Sequence, residues 1–467
     1  MTATGLGLSN SRLPPPVSFF SRLLSRFLPS PVSFFSRLLS RLPPFPPSLT
    51  ALYETPATTA ARSDEGAVRC LQLAARAYAA VDEVPDRIED GVRLLAESLG
   101  FEADCNATGT GIFLTIARGE QQWTEVIRVR PSAPDYARAV ALHRLLIKVR
   151  SGALSPDEGA DRLQLLLDWR ASQPMWLTML ASAGLSASAA VLLRGQWPEL
   201  LLAMALGALV GLVLVVTGRR PHLQPLAPVV VAGVASAIAF SANDVGLTAV
   251  RPVPLLIAGL VILLPGWGLT VAMTELAQGH WTSGAGRFLA AITTLLLLIV
   301  GVVVGQQAVQ SSDRLVLASL GAVPVWVRVL SPVIAGVAMT HLFRARRRDA
   351  VMIVLMCVVT SLATYLSGRW MSTTASAFVG AFTAMAVGAL IARVRNLPYP
   401  VLQQPATVLL VPGSIGFLSM GSLVNRNVNT AVQAGFQMLF VALTIALGAM
   451  SAQVALRPFL SRPRPGR

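Results

Sequence analysis

Charged residues are scarce in this chain, and acidic residues are nearly missing from its second part. Only 13% of the 467 residues are charged, 54% are hydrophobic, and the mean hydropathy is +0.61. A water-soluble fold of this size cannot bury so much apolar surface, so a lipid bilayer is predicted to surround much of the chain. After Met175 only five of the 23 acidic residues remain, against 19 basic ones.

Cysteine and histidine are also rare. The three cysteines form no Cys-x-x-Cys pair, and the four histidines are scattered without the spacing of a metal site. We therefore predict no metal, no cofactor and no disulfide. The chain has neither a Gly-x-Ser-x-Gly nor a His-Glu-x-x-His segment, and its apolar segments hold no carboxylate pair, so it is predicted not to be an enzyme.

The net charge of +15 does not indicate a nucleic-acid partner. Nearly all of the excess lies in short loops between apolar segments, where the positive-inside rule expects basic residues on the cytoplasmic side of a membrane. No nucleic acid is predicted to bind.

The first 65 residues read as a low-complexity, disordered extension. The sequence PVSFFSRLLSR occurs at Pro16–Arg26 and again at Pro31–Arg41. One interpretation is a basic, aromatic targeting or membrane-surface segment. The other is a recent duplication, or a start site placed too early.

Residues 66–174 are predicted to form a small cytoplasmic α/β domain, since none of their apolar segments is long enough to cross a bilayer. Ser155 is predicted to cap one of its helices. Helical spacing and turn residues predict four helices, at Val68–Ala80, Val84–Leu99, Asp135–Val149 and Ser155–Arg170, with strands around turn-rich residues in Glu102–Ala117 and Gln122–Arg130.

The remaining chain is predicted to be all-α, with about ten transmembrane helices and a basic tail at 458–467. With both termini in the cytoplasm, thirteen arginines fall on the cytoplasmic side and six on the other, which fixes the orientation. The predicted spans are 175–193, 199–217, 225–242, 253–274, 287–305, 326–343, 350–367, 372–392, 401–421 and 431–456.

A Pro-Gly pair interrupts both the fourth and the ninth span. Pro265-Gly266 lies in VILLPGWGLTVAMTEL and Pro412-Gly413 in TVLLVPGSIGFLSMGSL, 147 residues apart. The ninth span is five spans after the fourth, and because five is odd the two halves must enter the membrane in opposite senses. This pattern predicts two inverted five-helix repeats, 175–305 and 306–457, as in many secondary transporters.

The two interruptions are the predicted substrate site. Proline removes a helix hydrogen bond, and the freed backbone groups must face protein or a water-filled cavity at the bilayer centre. Half-helix N-termini favour a carboxylate and freed carbonyls favour an ammonium group, which suits a zwitterionic amino acid. The alternative is that each Pro-Gly only kinks a packed helix. The candidate binding residues are Pro265, Gly266, Gly268, Pro412, Gly413 and Ser414.

A second cluster follows the first interruption. Glu275 ends the fourth span, a flexible loop containing Gly284 follows, and Arg287 begins the fifth span. Glu275 is predicted either to carry protons or to form a solvated ion pair with Arg287 at the interface. Asp244, at the outer end of the third span, is a weaker candidate for coupling or gating.

These segments resemble the threonine/serine exporter family of actinobacteria over residues 66–457. The resemblance rests on VPDRIEDGVRLLAESLGF, DYARAVALHRLLIKVRSGALSPDEGADRLQLLL, LLPGWGLTVAMTELAQGHWTSGAGRF and LLVPGSIGF. The chain departs from the family pattern at Val81-Asp82-Glu83-Val84-Pro85 and in its N-terminal extension. The family motif maps onto Pro265, Gly266, Glu275, Gly284, Arg287, Pro412 and Gly413.

The resemblance implies export of L-threonine and L-serine across a bacterial plasma membrane, driven by the proton motive force. The lack of a Gly-rich phosphate loop agrees with a driving force other than ATP. The partners implied are these amino acids, protons and the bilayer, and the sequence also allows a homo-oligomer. Two alternatives remain open: a membrane-anchored hydrolase-like enzyme, and a channel gated by the cytoplasmic domain.

Overall fold

The computed structural model describes residues 64–129, 134–169, 173–244, 250–309, 323–410 and 428–460. The duplicated N-terminal segment and the end of the basic tail lie outside these ranges. So do Pro412, Gly413, Ser414 and the side chain of Asp244.

The N-terminal region, residues 64–169, combines four helices with one antiparallel sheet. Ser155 accepts a hydrogen bond from the Glu158 amide and caps the last helix, as predicted. Gly100 ends the second helix with a left-handed φ of 80°. The elements are α1 (Asp64–Ala80), α2 (Pro85–Leu99), β1 (Glu102–Ala107), β2 (Gly111–Arg118), β3 (Gln121–Arg128), α3 (Tyr136–Arg150) and α4 (Pro156–Asp168).

The sheet has the order β1-β2-β3. The stretch Glu102–Ala117 is two strands, because a turn reverses the chain after Ala107, which pairs with Ile112. The Thr108 amide donates to the Gly111 carbonyl over 2.8 Å and closes this turn.

Eight helices among the described residues are long and apolar enough to cross a membrane. They correspond to eight of the ten predicted spans. These candidate spans are Met175–Leu192, Trp197–Arg219, His222–Ala242, Trp281–Ala308, Val325–Leu342, Arg347–Ser367, Thr373–Arg395 and Gly435–Pro458.

The other two predicted spans are the ones with Pro-Gly pairs. The fourth is not one helix but two, Pro252–Gly259 and Gly266–Ala277, and only the first part of the ninth, Pro400–Val408, is described. The helices of the bundle are α5 (Met175–Leu192), α6 (Trp197–Arg219), α7 (Ala227–Asp244), α8 (Pro252–Gly259), α9 (Gly266–Ala277), α10 (Trp281–Ala308), α11 (Val325–Leu342), α12 (Arg347–Ser367), α13 (Thr373–Arg395), α14 (Pro400–Val408) and α15 (Val428–Leu460).

Small residues bring pairs of these helices into close contact. A Cβ added to Gly301 of α10 would lie 2.3 Å from the Val229 carbonyl oxygen of α7. A Cβ added to Gly448 of α15 would lie 2.6 Å from the Phe378 carbonyl oxygen of α13. Both crossings therefore require glycine, as expected where packing rather than hydrophobic burial holds helices together in lipid.

Helices α5 and α11 pack against each other and run antiparallel. The Ser188 hydroxyl donates to the Ser331 carbonyl over 2.8 Å, and a Cβ on Gly184 would lie 3.5 Å from Ile334. Residue numbers thus rise along α5 as they fall along α11. This contact joins the first five predicted spans to the last five.

Candidate functional site

The interruption of the fourth span lies between α8 and α9. The Leu263 and Leu264 amides both donate to the Leu260 carbonyl, and the Gly266 amide donates to the Leu264 carbonyl over 2.8 Å. Helical bonding resumes where the Leu269 amide donates to the Pro265 carbonyl over 2.9 Å. The predicted break at Pro265-Gly266 is therefore present, because proline donates no amide bond and the Gly266 amide bonds Leu264 instead of a carbonyl four residues back.

The first turn of α9 begins at this break. Pro265 holds the N-cap position, where its side chain has no oxygen to accept a bond from the helix amides. A Cβ on Gly268, in the same turn, would meet no atom within 4 Å. The N-terminal end of α9 therefore presents backbone amides beside open space, with the partial positive charge of a helix N-terminus.

Helix α14, which leads toward the second Pro-Gly pair, packs against the helix that follows this break. Helix α9 packs against α14 and α15. Val408 and Leu409 contact the same apolar cluster that contains Leu264 and Leu269. The helix before Pro412 thus shares an apolar cluster with residues on both sides of the first break, while the second Pro-Gly pair itself lies outside the described residues.

Glu275, in the last turn of α9, is buried beside Arg287. Its side chain is 3% exposed, and its Oε1 lies 3.0 Å from the Arg287 Nε. The predicted pairing is confirmed, but the predicted solvation is wrong, because the helices cover the carboxylate. Removing the arginine would leave a buried, unpaired charge, at a cost of about 3–5 kcal/mol.

Gly284 lies in α10 and not in a flexible loop, so that part of the prediction is wrong. Helix α10 begins at Trp281, and the link from α9 is only residues 278–280. A Cβ on Gly284 would lie 2.8 Å from Leu276 Cγ and 3.0 Å from the Ala272 carbonyl oxygen. Glycine here lets α10 approach α9 closely enough for Arg287 to reach Glu275.

The N-terminal region supplies a third member of this cluster. Asp82, between α1 and α2, has its Oδ1 3.4 Å from the Arg287 Nη2. Burial raises the pKa of Asp82, and the positive charge of Arg287 opposes this rise. One guanidinium thus faces two carboxylates, Asp82 and Glu275. Sequence reasoning noted the Val81–Pro85 segment only as a departure from a family pattern, and nothing in it indicated a partner 205 residues away.

Glu199 is a second buried carboxylate that sequence reasoning missed. Its side chain is 3% exposed, and its oxygens accept bonds from the Arg251 Nε and Nη2 over 2.8 and 2.9 Å. The pair ties the start of α6 to the start of α8. The sequence feature that could have pointed to it is the rarity of acidic residues in this part of the chain, since Glu199 is one of only five after Met175.

These features define a multi-pass membrane protein with a broken helix in its apolar bundle and a buried ion pair at the end of that helix. The family model described as "Putative threonine/serine exporter" matches residues 73–309, and "Threonine/Serine exporter, ThrE" matches residues 328–455. The chain belongs to the threonine/serine exporter family.

Two curated relatives match the chain, and the name of one of them agrees with this assignment. The chain is 26% identical over 353 residues to a protein of Mycobacterium tuberculosis named "Probable threonine/serine exporter", covering 72% of this chain and 64% of that one. It is 21% identical over 415 residues to an uncharacterised protein of Schizosaccharomyces pombe, covering 81% and 50%. The chain thus spans less than two thirds of each relative. No solved structure matches it.

Proposed function

We propose that this protein is a secondary transporter that exports small neutral amino acids, L-threonine and L-serine, from the cytoplasm. The observation that carries the proposal is the break at Pro265-Gly266, which starts α9 within an apolar span with no side-chain cap and with open space beside Gly268 in its first turn. Helix breaks of this kind hold the substrates of many secondary transporters. The family membership and the name of the mycobacterial relative support the same substrates.

In this proposal the two broken spans bind the two charges of the amino acid. The positive N-terminal end of α9, at Gly266 and Gly268, binds the carboxylate. Carbonyl groups freed at the breaks bind the ammonium group. Pro412, Gly413 and Ser414 complete the site from the ninth span, whose first helix adjoins α9.

Two inverted repeats of five spans provide the framework. Gly301 packs on the Val229 carbonyl and the Ala232 methyl group, and Gly448 packs on the equivalent Phe378 carbonyl and Ala381 methyl group. Gly301 and Gly448 are 147 residues apart, the same spacing as Pro265 and Pro412. The antiparallel pairing of α5 with α11 is the arrangement that opposite membrane senses require. These equivalences support the repeat.

The proton motive force is the proposed driving force, and Glu275 is the proposed proton carrier. A buried carboxylate that shares its arginine with a second carboxylate changes its charge readily, since the low-dielectric site disfavours two negative charges around one positive charge. Asp244, whose side chain is not described, keeps its predicted secondary role in gating.

The proposed location is a bacterial plasma membrane with both termini in the cytoplasm. The thirteen-to-six division of arginines supports this orientation. In the proposed orientation the N-terminal region and the Glu275–Arg287 pair lie on the cytoplasmic side.

Transport in proteoliposomes tests the proposal. The purified protein, with a proton gradient imposed, should move labelled L-threonine in a saturable manner, and an uncoupler should abolish the movement. Passive, non-saturating flux would identify a channel. Conversion of the amino acid, or of a peptide, without flux would identify an enzyme, and either outcome would overturn the transporter.

A further inference from the structure

The N-terminal region is docked on the second half of the bundle through a buried contact. Tyr136, at the start of α3, is 4% exposed, and its hydroxyl donates to the Gln404 Oε1 of α14 over 2.8 Å. Its amide donates to the Phe343 carbonyl over 2.9 Å, and the two rings lie 5.0 Å apart.

This contact continues into the apolar core of the second half. Tyr136 and Val140 belong to one buried cluster with Ile353 and Met356 of α12 and Leu402 of α14. Arg87 adds a contact at the edge, with its guanidinium carbon 3.3 Å from the centre of the Tyr399 ring. Separating this contact would expose its apolar surface to water, which is unfavourable. We therefore expect the N-terminal region to move as one body with the second half.

The contact with the first half is of a different kind. Among the described residues it includes the Asp82–Arg287 pair and a contact between the Asp86 carboxylate and the His280 imidazole. The four side chains are between 24% and 34% exposed. Ion pairs that water reaches are weak and separate at low cost, unlike a buried aromatic contact.

We propose that Asp82 is a releasable counter-ion of Arg287. The N-terminal region, which moves with the second half of the bundle, withdraws Asp82 from Arg287 when the two halves move during transport. This inference rests on the proposed transport function. In the structure Arg287 bridges Glu275 and Asp82. When Asp82 leaves, Arg287 neutralises Glu275 alone, so the charge balance at Glu275 follows the movement of the halves.

The surroundings of Asp82 suit this role. Its backbone has a φ of 55°, a left-handed conformation that aspartate adopts more readily than most residues, in the turn between α1 and α2. The charged groups near it are Arg287 and Glu275 across the contact, the Glu83–Arg87 pair on its own side, and the Asp86–His280 pair.

Cross-links from two neighbouring positions of the N-terminal region, 86 and 87, test which half of the bundle this region moves with. Asp86 faces His280 of the first half, whereas its neighbour Arg87 faces Tyr399 of the second. In a background with Cys70, Cys105 and Cys357 replaced, one variant carries cysteines at positions 86 and 280, and the matched control carries them at 87 and 399. A short, reducible thiol cross-linker joins each pair, and threonine flux is compared with the same variant before linking and after reduction.

The 86–280 link should abolish flux and reduction should restore it, while the 87–399 link should leave most of the flux. The reverse result would mean that the region moves with the first half, and retention of flux by both linked variants would mean that the contact never opens. Either result overturns the proposal.

A measurement on the unaltered protein covers the case in which the cysteine variants are inactive. During threonine export, hydrogen exchange at residues 81–86 should speed up, while residues 136–140 stay protected. Equal protection of both segments, in protein that exports threonine, would contradict the release of Asp82. An absence of threonine flux from unaltered protein would instead refute the proposed function.

Discussion

At the scale of single residues, two glycines of α10 show how the Glu275–Arg287 pair depends on the packing of α10 against α9. Gly284 and Gly286 are two positions apart in the same helix. A Cβ on Gly284 would overlap Leu276 and the Ala272 carbonyl, whereas a Cβ on Gly286 would meet nothing within 4 Å. The same substitution should therefore have opposite effects at the two sites.

Gly284→Ala should lower the stability of the protein by about 1–3 kcal/mol, because α10 must move away from α9. Gly286→Ala should raise it by up to about 1 kcal/mol, since alanine favours a helix over glycine. Thermal unfolding in detergent measures both. Equal shifts in the two variants would mean that the α9–α10 contact is looser than described.

At Glu275 a substitution can remove the acid–base function of the side chain while keeping its size and shape. Glu275→Gln keeps the size of the side chain but cannot release a proton, so the export rate should lose much of its dependence on pH if Glu275 carries the proton. Export at a series of pH values, with Glu275→Asp as the control that retains a carboxyl group, measures this. A glutamine variant with the profile of the unaltered protein would leave Glu275 only its role as the partner of Arg287.

At the scale of helices, Pro265 and Pro332 differ in where they lie relative to a helix. Pro265 separates α8 from α9, whereas Pro332 lies inside the continuous helix α11. Only the first therefore creates uncapped helix ends.

Pro265→Ala should reduce threonine export by about tenfold or more, because a helix that closes across the break displaces the groups that bind the substrate. Pro332→Ala should keep most of the export activity, and both variants should still insert in the membrane. Flux and membrane content measure the two effects. An active Pro265→Ala variant would mean that the break is a packing kink.

At the scale of the whole molecule, the N-terminal region and the bundle are coupled through Asp82. Burial raises its pKa in the docked state, so Asp82 binds its proton more tightly when docked than when exposed. Docking therefore takes up protons, and the contact should weaken as the pH rises from the ordinary aspartate range through the raised pKa.

Hydrogen exchange at residues 81–86 should accordingly speed up with rising pH beyond the intrinsic effect of pH on exchange. In Asp82→Asn this additional dependence should shrink, because asparagine carries no group that exchanges a proton in this range. Residues 136–140 provide the internal reference. An unchanged dependence in Asp82→Asn would show that Asp82 does not link docking to protons.

The local features of this protein followed from its sequence. Long apolar segments predicted the eight candidate spans that the described residues contain, because a helix that crosses the hydrocarbon core needs about 20 predominantly apolar residues. Pro265-Gly266 predicted the break, since proline removes a helix hydrogen bond and the glycine after it lets the backbone leave the helical path, both of them local effects. Ser155 predicted the N-cap of α4, because its side chain bonds an amide only three residues along the chain.

The tertiary structure alone decided which distant groups meet. It buried Glu275, placed Gly284 inside a helix, and brought Asp82 to an arginine 205 residues away. It also joined Tyr136 to Gln404 and so attached the N-terminal region to the second half. Such contacts depend on how helices pack against one another, and packing is set by many weak contacts between residues far apart in the chain, which no short segment records.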